Sequence, residues 1–488
     1  MIHFRIIKLF TAAIAVLIIS GCRYDKGTPT YNGFPTGVGK LFFTKCSTTG
    51  CHNDVSKDAA AGLSMSSWDK LFEGDRGGAA VIPFRNDFSI VFSFCNTFND
   101  LGISNPPTMP FNMDKLTHDE VLLIKNWINA GAPNNLGFVK FSDNPNRKKF
   151  YVANQGCDVV TVFDQETLLP MRYINIGNSG LIEAPHDLVV SPDGQYWYVC
   201  FLAGNSLQKY RTSDDSFVGE ANLGSGSWNT ITINADGSKA YVIDYAGGNI
   251  AVVDLNTLTS TPNFGFHFPH GSCLSPAGDF LYVTEQTNSN KLYKIPVNDF
   301  SSYTEINLYT SQPPAFLNSH VVNFSPDGSR YFVTCQGTSE VRVFNPSNDS
   351  LLAIIPVGGF PQEMDFSEAH KYLFVTCEED TLTFPGKRGS IAIIDINGNS
   401  STNNTLIKIM YSGWQPHGIS VDDNKNMVYV ANRNRTSDGP APHHTSVCGG
   451  KDGYVTFIDM NTLTLVKTGA SDKQIEVSVD PYEVAVQH

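Results

Sequence analysis

Two cysteines and a histidine near the amino-terminal end form a compact group of reactive side chains. In the run TKCSTTGCHND, four residues separate Cys46 from Cys51, and His52 follows the second cysteine directly. Covalent haem attachment normally uses Cys-x-x-Cys-His, so the spacer here is longer by two residues. Three kinds of chemistry fit this group: haem attachment with His52 as an iron ligand, a zinc site that needs a fourth ligand, or a simple disulfide.

A methionine further along the chain favours the haem interpretation over the zinc interpretation. Met109 lies between prolines in the run NPPTMPFN, a rigid loop from which its thioether could reach an iron atom. Methionine is a poor zinc ligand but a good ligand for haem iron. Met113 lies four residues further on and is the alternative distal ligand. The competing interpretation is that Met109 is an ordinary packed core residue.

Two predicted helices must position this group. The run VGKLFFTK, residues 38–45, indicates a short amphipathic helix that leads into Cys46. The run LTHDEVLLIKNWINAGAP begins with a capping box of Thr117 and Glu120, has apolar residues at helical spacing and ends at Gly131. The apolar content of this region is small, and a buried porphyrin would supply the missing core.

Taken in order, these motifs resemble the planctomycete-type cytochrome c domain found in many exported proteins. The match covers roughly residues 37–133: the haem motif, Gly-Leu-x-Met-Ser, a Gly-rich loop, Met-Pro and a closing Trp-Ile-x-x-Gly-Ala. The resemblance implies a small all-α haem domain over residues 37–135. It also implies one covalent haem c, attached at Cys46 and Cys51 and ligated by His52 and Met109. The longer spacer departs from the family motif and puts in doubt which maturation system handles the chain.

The first 22 residues have the pattern of a targeting segment. Basic residues precede an apolar run from Leu9 to Ile19, which is shorter than the roughly 20 residues that a membrane-spanning helix needs. The ending Ile-Ser-Gly-Cys resembles a bacterial lipobox, which implies a lipid on Cys22; a plain signal peptide or an uncleaved anchor is the alternative. Residues 23–36 are polar and rich in proline and glycine, as expected of a tether.

We therefore expect a lipid-anchored protein in the cell envelope of a diderm bacterium. Arg23, rather than the aspartate that commonly retains lipoproteins at the inner membrane, follows Cys22, which favours the outer membrane, on its periplasmic side or at the surface. Export also permits thiol oxidation and haem attachment. The formal net charge of -13 argues against nucleic-acid binding and against charge-driven binding to anionic lipid.

From residue 138 onwards the sequence consists of short aromatic and β-branched runs broken by turns. Seven copies of one strand recur with a period of 41 to 55 residues, which predicts a seven-bladed β-propeller over residues 138–488. The copies are FYVAN (150–154), WYVC (197–200), AYVID (240–244), LYVTE (281–285), YFVTC (331–335), LFVTC (373–377) and VYVAN (428–432). The final run DPYEVAVQH aligns with the opening strand of other repeats, so we expect it to complete the first blade. The repeats resemble the YVTN family of propellers, which indicates fold and leaves function open.

One column of the aligned repeats is rich in histidine. Its members are His186, Asn229, His270, His320, Gln362, His417 and, from the last strand, Tyr482. We expect them to ring one mouth of the central channel, on the face that also carries the loop 432–453 with His443 and His444. Neutral imidazoles there would suit a metal, copper before others, in a site resembling those of nitrous oxide reductase or copper-dependent thiol oxidases. The alternatives are that the imidazoles bind neighbouring backbone, or that the mouth binds a substrate or a partner.

The other cysteines indicate structure rather than chemistry. Cys95, Cys200, Cys335 and Cys377 lie within apolar runs and are expected to be small buried residues. Cys157 and the loop cysteine Cys448 occupy comparable loops of the first and last blades, where a disulfide is conceivable.

The leading functional hypothesis is a c-type cytochrome that transfers single electrons to or from a redox partner protein in the envelope. One haem motif with a sixth ligand leaves iron no open position for chemistry, and the propeller would dock the partner. The alternative is an oxidoreductase that reacts at the propeller mouth with haem as an electron relay. A weaker third possibility is a binding scaffold whose haem region has no role.

Overall fold

A computed structural model describes residues 30–287, 289–310, 316–443 and 446–488. The predicted leader with Cys22, the first half of the predicted tether, and His444 lie outside the described residues. Within the described ranges, no helix is both long enough and apolar enough to cross a membrane.

The strands between residues 149 and 486 form a β-propeller, which in the described residues has seven antiparallel sheets. The first blade contains β1 (Lys149–Asn154), β2 (Val159–Asp164), β3 (Leu169–Asn175) and the last strand of the chain, β31 (Pro481–Val486). The second and third blades contain β4 (Pro185–Val190), β5 (Tyr196–Phe201), β6 (Ser206–Arg211), β7 (Phe217–Asn222), β8 (Trp228–Ile233), β9 (Lys239–Asp244), β10 (Asn249–Asp254) and β11 (Thr259–Phe264).

The fourth to seventh blades continue this order around the ring. The fourth and fifth contain β12 (Pro269–Leu274), β13 (Phe280–Glu285), β14 (Lys291–Pro296), β15 (Thr304–Asn307), β16 (Ser319–Phe324), β17 (Tyr331–Cys335), β18 (Glu340–Asn345) and β19 (Ser350–Pro356). The sixth contains β20 (Pro361–Ser367), β21 (Tyr372–Cys377), β22 (Ser390–Asp395) and β23 (Thr405–Met410). The seventh contains β24 (Pro416–Asp422), β25 (Met427–Asn432), β26 (Asp452–Asp459), β27 (Thr464–Leu465) and β30 (Gln474–Val479), with a small hairpin of β28 (Lys467–Thr468) and β29 (Ser471–Asp472) before β30.

The carboxyl-terminal strand closes the ring, as the sequence predicts. Strand β31 pairs antiparallel with β1, so that Val484 lies opposite Val152 and Ala485 opposite Tyr151. It also packs against β4 and β24, the innermost strands of the neighbouring blades. This pairing covers the edge of β1 that would otherwise be open. The structure confirms the seven-bladed propeller.

The second strand of each blade is buried on both sides. Strands such as β17 and β25 lie between the sheets of two neighbouring blades, and nearly all of their side chains are buried. A strand with one buried face alternates apolar and polar residues. Because both faces of these strands are buried, their sequences are continuous apolar runs.

The region before the propeller contains four short α-helices in the part of the chain that is described: α1 (Thr36–Lys45), α2 (Trp68–Leu71), α3 (Ile90–Cys95) and α4 (His118–Asn129). Helix α4 begins with the predicted capping box of Thr117 and Glu120. Its Trp127 packs edge-on against Phe34 and Phe42, the latter on α1. These contacts give the region, hereafter the helical region, an apolar core of its own.

The helical region is not the clearly separate all-α domain that the sequence predicts. Much of it is turn and irregular backbone, and part of it packs on the first and last blades. The Phe88 ring stacks on Tyr173 at 4.0 Å, and Arg85 donates a hydrogen bond to the carbonyl of Tyr173 at 2.6 Å. The backbone N–H of Glu476 donates to the carbonyl of Gly77 at 2.8 Å. The helical region and the propeller are therefore in direct contact, and side chains of both line the space between them.

A disulfide joins Cys157 and Cys448, in the loops of the first and last blades, with their Cα atoms 5.7 Å apart. We expect the Cys157→Ser, Cys448→Ser variant to lose about 2–4 kcal/mol of unfolding free energy, because the crosslink restricts the unfolded chain. Denaturant unfolding would measure the loss. The wild-type protein in reducing agent should shift to the variant's midpoint, while the variant itself should not respond. Equal midpoints for the oxidised wild type and the variant would contradict this prediction.

Candidate cofactor site

A cavity of about 420 Å³ lies between the helical region and the outer strands of the first and last blades. Cys46, His52 and Met109 line it from the helical side, and Tyr173 and Glu476 line it from the propeller. Its volume falls within the range of roughly 300–1,000 Å³ that is usual for ligand pockets. Three of the four predicted haem residues thus share one cavity.

The turn after α1 fixes the first two of these residues relative to each other. Cys46 is the residue that caps the end of α1, and its N–H makes a helical hydrogen bond to the Phe42 carbonyl at 2.9 Å. The N–H of His52 then donates back to the Cys46 carbonyl at 3.0 Å, and the His52 carbonyl accepts from Met65 at 2.8 Å. The longer spacer is therefore accommodated as a closed turn that brings His52 next to Cys46.

The His52 imidazole is placed to act as a neutral ligand. Its buried Nδ1 has no hydrogen bond of normal geometry within the described residues. Burial lowers the pKa of His52, and only the nearby backbone of Leu63 and Ala60 opposes this effect. The imidazole is therefore neutral at physiological pH, which is the form that binds metals.

The two cysteines differ in their surroundings. Cys46 is buried, and burial raises the pKa of its thiol to about 12. Cys51 is half-buried and does not line the cavity, and neither thiol is in a disulfide. In the described chain, the one group of three histidine, cysteine or carboxylate donors within 4.8 Å of one another lies elsewhere. The geometry of Cys46, Cys51 and His52 therefore favours neither the disulfide nor the zinc interpretation.

The two candidate distal methionines are clearly distinguished. Met109 is half-buried against the core of the helical region, and its N–H donates to the Phe94 carbonyl at 2.8 Å. Met113 is 52% exposed and does not line the cavity. Of the two methionines, Met109 is therefore the one that lies where it could bind an iron atom in the cavity.

The glycine-rich loop forms the wall of the cavity next to the propeller. The Asp75 carboxylate accepts hydrogen bonds from the N–H groups of Gly77 and Gly78 at 2.8 and 2.9 Å. Gly78 has φ +147°, and a Cβ there would come within 3.2 Å of the Ile475 side chain. A glycine is needed at this position because the loop approaches β30 closely.

His443 lies at the rim of this cavity rather than with the histidine column. Its Nδ1 bonds the Glu476 carboxylate on the outer strand β30, and this hydrogen bond raises the pKa of His443. The expectation that His443 joins the column at the channel mouth is therefore not met. The sequence analysis missed Tyr173 and Glu476 as cavity residues, because no motif marks which blades face the helical region.

The histidine column forms a closed ring of aromatic side chains inside the channel, in which Tyr482 completes the circle. The successive ring centroids are His186 to His270 6.1 Å, His270 to His320 4.2 Å, His320 to His417 6.0 Å, His417 to Tyr482 3.6 Å and Tyr482 to His186 4.2 Å. Asn229 and Gln362 of the same column are also buried. Burial lowers the pKa of each of the four imidazoles, to about 4 for His270.

An ion-pair cluster covers this ring on the face where the sequence predicts an open mouth. The buried Arg433 guanidinium donates to Asp480 at 2.6 Å and to Glu378 at 3.1 Å. It also lies 4.5 Å from the centroid of the Tyr482 ring. We call Arg433, Glu378 and Asp480 the plug. The histidines therefore line a covered part of the channel and not an open mouth.

Part of the ring uses its imidazoles structurally. The Nδ1 atom of His186 bonds the Asn229 carbonyl at 2.9 Å, and that of His417 bonds the Tyr482 carbonyl at 3.1 Å. Each bond joins neighbouring blades at the same level of the channel. These two nitrogen atoms therefore bind neighbouring backbone, which is the alternative to metal binding that the sequence leaves open.

Three carboxylates follow directly after column residues and interact across the channel. Burial raises the pKa of Asp187 to about 7 and that of Glu363 to about 8, and the negative charge of Asp187 adds to the effect on Glu363. Burial and repulsion from both raise the pKa of Glu483 as well. Sequence analysis missed these acids, although each stands immediately after a column residue.

The comparisons with known proteins support the propeller fold. No protein-family model matches the chain. Antigen Lp49 of Leptospira interrogans serogroup Icterohaemorrhagiae serovar copenhageni is 22% identical over 304 residues, which are 59% of this chain. The match spans 63% of that relative, less than two thirds of its length.

Solved structures show the same architecture at low sequence identity. The periplasmic gluconolactonase PpgL of Pseudomonas aeruginosa superposes with a TM-score of 0.54 and 16% identity over 70% of this chain and 99% of that one. This likeness shows a shared fold alone. Dihydro-heme d1 dehydrogenase NirN, solved in complex with DHE, matches with a TM-score of 0.47 and 14% identity over 92% of this chain and 98% of that one.

Proposed function

We propose that this chain is an exported c-type cytochrome that transfers single electrons, with its haem in the cavity between the helical region and the propeller. One observation carries the proposal: Cys46, His52 and Met109, separated in sequence, line the same cavity. The cavity also has a mainly apolar lining, with Ile82, Val91 and other core residues in its wall. Such a lining excludes water and suits a porphyrin.

Each residue has a defined role in this proposal. Cys46 and Cys51 would hold the haem through thioether bonds, His52 would be the proximal ligand and Met109 the distal ligand. A bound haem c supplies one-electron chemistry, with a potential set by axial ligation and burial. With His52 and Met109 as its two protein ligands, a bound haem iron would have no position left for a substrate. Electron transfer is therefore favoured over catalysis at the iron.

The location and the partner in this proposal rest on the sequence. Lipidation at Cys22 would anchor the chain in the envelope of a diderm bacterium, with the outer membrane favoured. There a redox partner protein would exchange electrons with the haem, and the propeller would serve as the docking module. Residues 1–22 would be the export signal, and the tether of residues 23–36 would link the lipidated Cys22 to the helical region.

The distal ligand gives a direct test. After maturation in a haem-attaching, exporting host, Met109→Leu should abolish the methionine–iron charge-transfer absorption. It should also lower the midpoint potential by on the order of 0.1 V, within the ~0.8 V range that axial ligands span. Met113→Leu is the matched control and should leave both unchanged, because Met113 lies outside the cavity. An unchanged spectrum and potential in Met109→Leu would refute this ligand assignment.

An oxidoreductase that reacts in the propeller channel is the second candidate. The observation in its favour is the group of His320, Glu363 and His417, whose donor atoms come together in the channel. It is less favoured because the plug closes the histidine ring on the face next to the long loop. A substrate would have to enter from the opposite face.

A further inference from the structure

The four channel histidines are not equivalent in their hydrogen bonding. His320 and His417 are 3% and 0% exposed, so bulk solvent does not reach their ring nitrogens. Within the described residues, Nδ1 of His320 and Nε2 of His417 have no hydrogen bond of normal geometry. Buried polar atoms without a partner are rare in folded proteins and call for an explanation.

Glu363 lies beside both of these imidazoles. Its Oε1 is 3.6 Å from Nδ1 of His320. One donor atom from each of His320, Glu363 and His417 lies within 4.8 Å of the other two. Ligands at about 2.0–2.1 Å from one metal ion are at most about 4.2 Å apart, so displacements of well under ~1 Å would bring all three into coordination.

We propose that His320, Glu363 and His417 bind a divalent transition-metal ion of the Zn²⁺ and Cu²⁺ class inside the propeller channel. Two imidazoles and one carboxylate, with a position left open, form the donor set of catalytic zinc sites and of the two-histidine, one-carboxylate iron sites. The ion would give the two unpartnered imidazole nitrogens a partner. This site is independent of the haem proposal, since it shares no residue with the haem cavity.

The fourth position has a candidate within the ring. The centroid of His270 lies 4.2 Å from that of His320, and His270 is also buried. Its Nδ1 has no hydrogen bond of normal geometry among the described residues. His270 would therefore either complete the coordination or orient His320 from outside the first shell of ligands.

The charges around the site permit a cation there. The nearest positive group is Arg433 of the plug, whose charge is balanced by its ion pairs with Glu378 and Asp480. Asp187 and Glu483 add two carboxylates that interact electrostatically with Glu363. The Glu363 side chain retains 21% exposure, so an ion in solution can reach the site.

The test uses the full chain, matured with haem, treated with EDTA and dialysed. ZnCl₂ or CuCl₂ is added, excess is removed by desalting, and bound metal is counted by mass spectrometry with haem iron counted separately. We expect one equivalent of zinc or copper per chain in addition to the iron. Glu363→Gln and His320→Gln should each weaken binding by at least about 10- to 100-fold, which is the effect of losing even an outer-shell partner. Mg²⁺ should not compete, because imidazole is a poor ligand for it.

His186→Gln is the matched control. His186 belongs to the same ring and is also buried, but it is not one of the three donors that come together, and its Nδ1 bonds the Asn229 carbonyl. Its replacement should leave metal affinity unchanged. Zinc should also raise the melting temperature of the wild type and of His186→Gln, but not that of folded Glu363→Gln, because only proteins with the site gain from binding. Absence of bound metal in the wild type, or equal affinity in Glu363→Gln, would overturn the proposal whether or not haem is present.

Discussion

The Cys46→Ser, Cys51→Ser variant is expected to leave the haem-attaching host without covalent haem. Serine cannot form the thioether bonds, so haem stain should be absent after denaturing electrophoresis, whereas the wild type should carry one haem per chain. The helical region should also lose stability, because the apolar cavity of about 420 Å³ between it and the propeller would be left unfilled or hydrated. Haem stain on the denaturing gel and the absorption spectrum measure the loss of haem, and denaturant unfolding measures the loss of stability.

Cys95→Ser is the control for this experiment. Cys95 is a free thiol that lines the same cavity, but it lies outside the Cys-x₄-Cys-His motif. The variant should keep covalent haem, although a buried hydroxyl costs some stability. Covalent haem in the double variant would refute attachment at Cys46 and Cys51. A wild-type protein with zinc and no haem would revive the zinc interpretation of His52 and its neighbours.

The propeller is predictable from sequence because its signals are repeated. Each blade has a second strand buried on both sides, so the same apolar run occurs seven times in the described chain. The sequence predicts that the last strand completes the first blade, because it resembles the opening strand of other repeats, and in the structure this strand pairs with β1. The capping box of Thr117 and Glu120 is likewise a local signal, which the structure bears out.

The shared cavity is not predictable in the same way. The cavity joins His52 and Met109 to Tyr173 and Glu476, residues up to about 400 positions apart along the chain. No periodic pattern states which blades face the helical region, because that contact is made once. The resemblance to a cytochrome domain supplies the helical side of the cavity only, so it predicts an independent domain where the structure has a shared wall.

Within the propeller channel, the sequence predicts the positions of some residues and not of others. Alignment of the repeats places the histidines in one ring correctly, because they share a strand position. The alignment predicts neither the plug nor the position of Glu363. In the plug, Arg433 pairs with Glu378 and Asp480, which belong to different blades. The start of β20 also has an irregular register between Pro361 and Met364. That irregularity changes the direction of neighbouring side chains, so simple alternation along the strand does not place Glu363.

Arg433→Met is expected to cost about 3–5 kcal/mol of unfolding free energy, because it leaves buried Glu378 without its positive partner and Asp480 with only the longer pair to Arg435 at 3.6 Å. Denaturant unfolding of the haem-loaded protein measures the loss. Lys425→Met is the matched control: Lys425 pairs with Glu166 near the surface, and loss of such a pair costs about 0–1 kcal/mol.

The loss of unfolding free energy in Arg433→Met is expected to come from unpaired buried charge, and a further variant tests this cause separately. Adding Glu378→Gln and Asp480→Asn to Arg433→Met removes the buried negative charges and should restore most of the stability, because replacing a whole buried ion cluster is often close to neutral. Arg433→Lys should restore only part of the stability, since the ammonium keeps the positive charge but lacks the planar fork with which the guanidinium binds both Asp480 oxygens. If Arg433→Met costs no more than Lys425→Met, the plug does not stabilise the fold. If the triple variant is as unstable as Arg433→Met, lost packing against Tyr482, rather than unpaired charge, accounts for the effect.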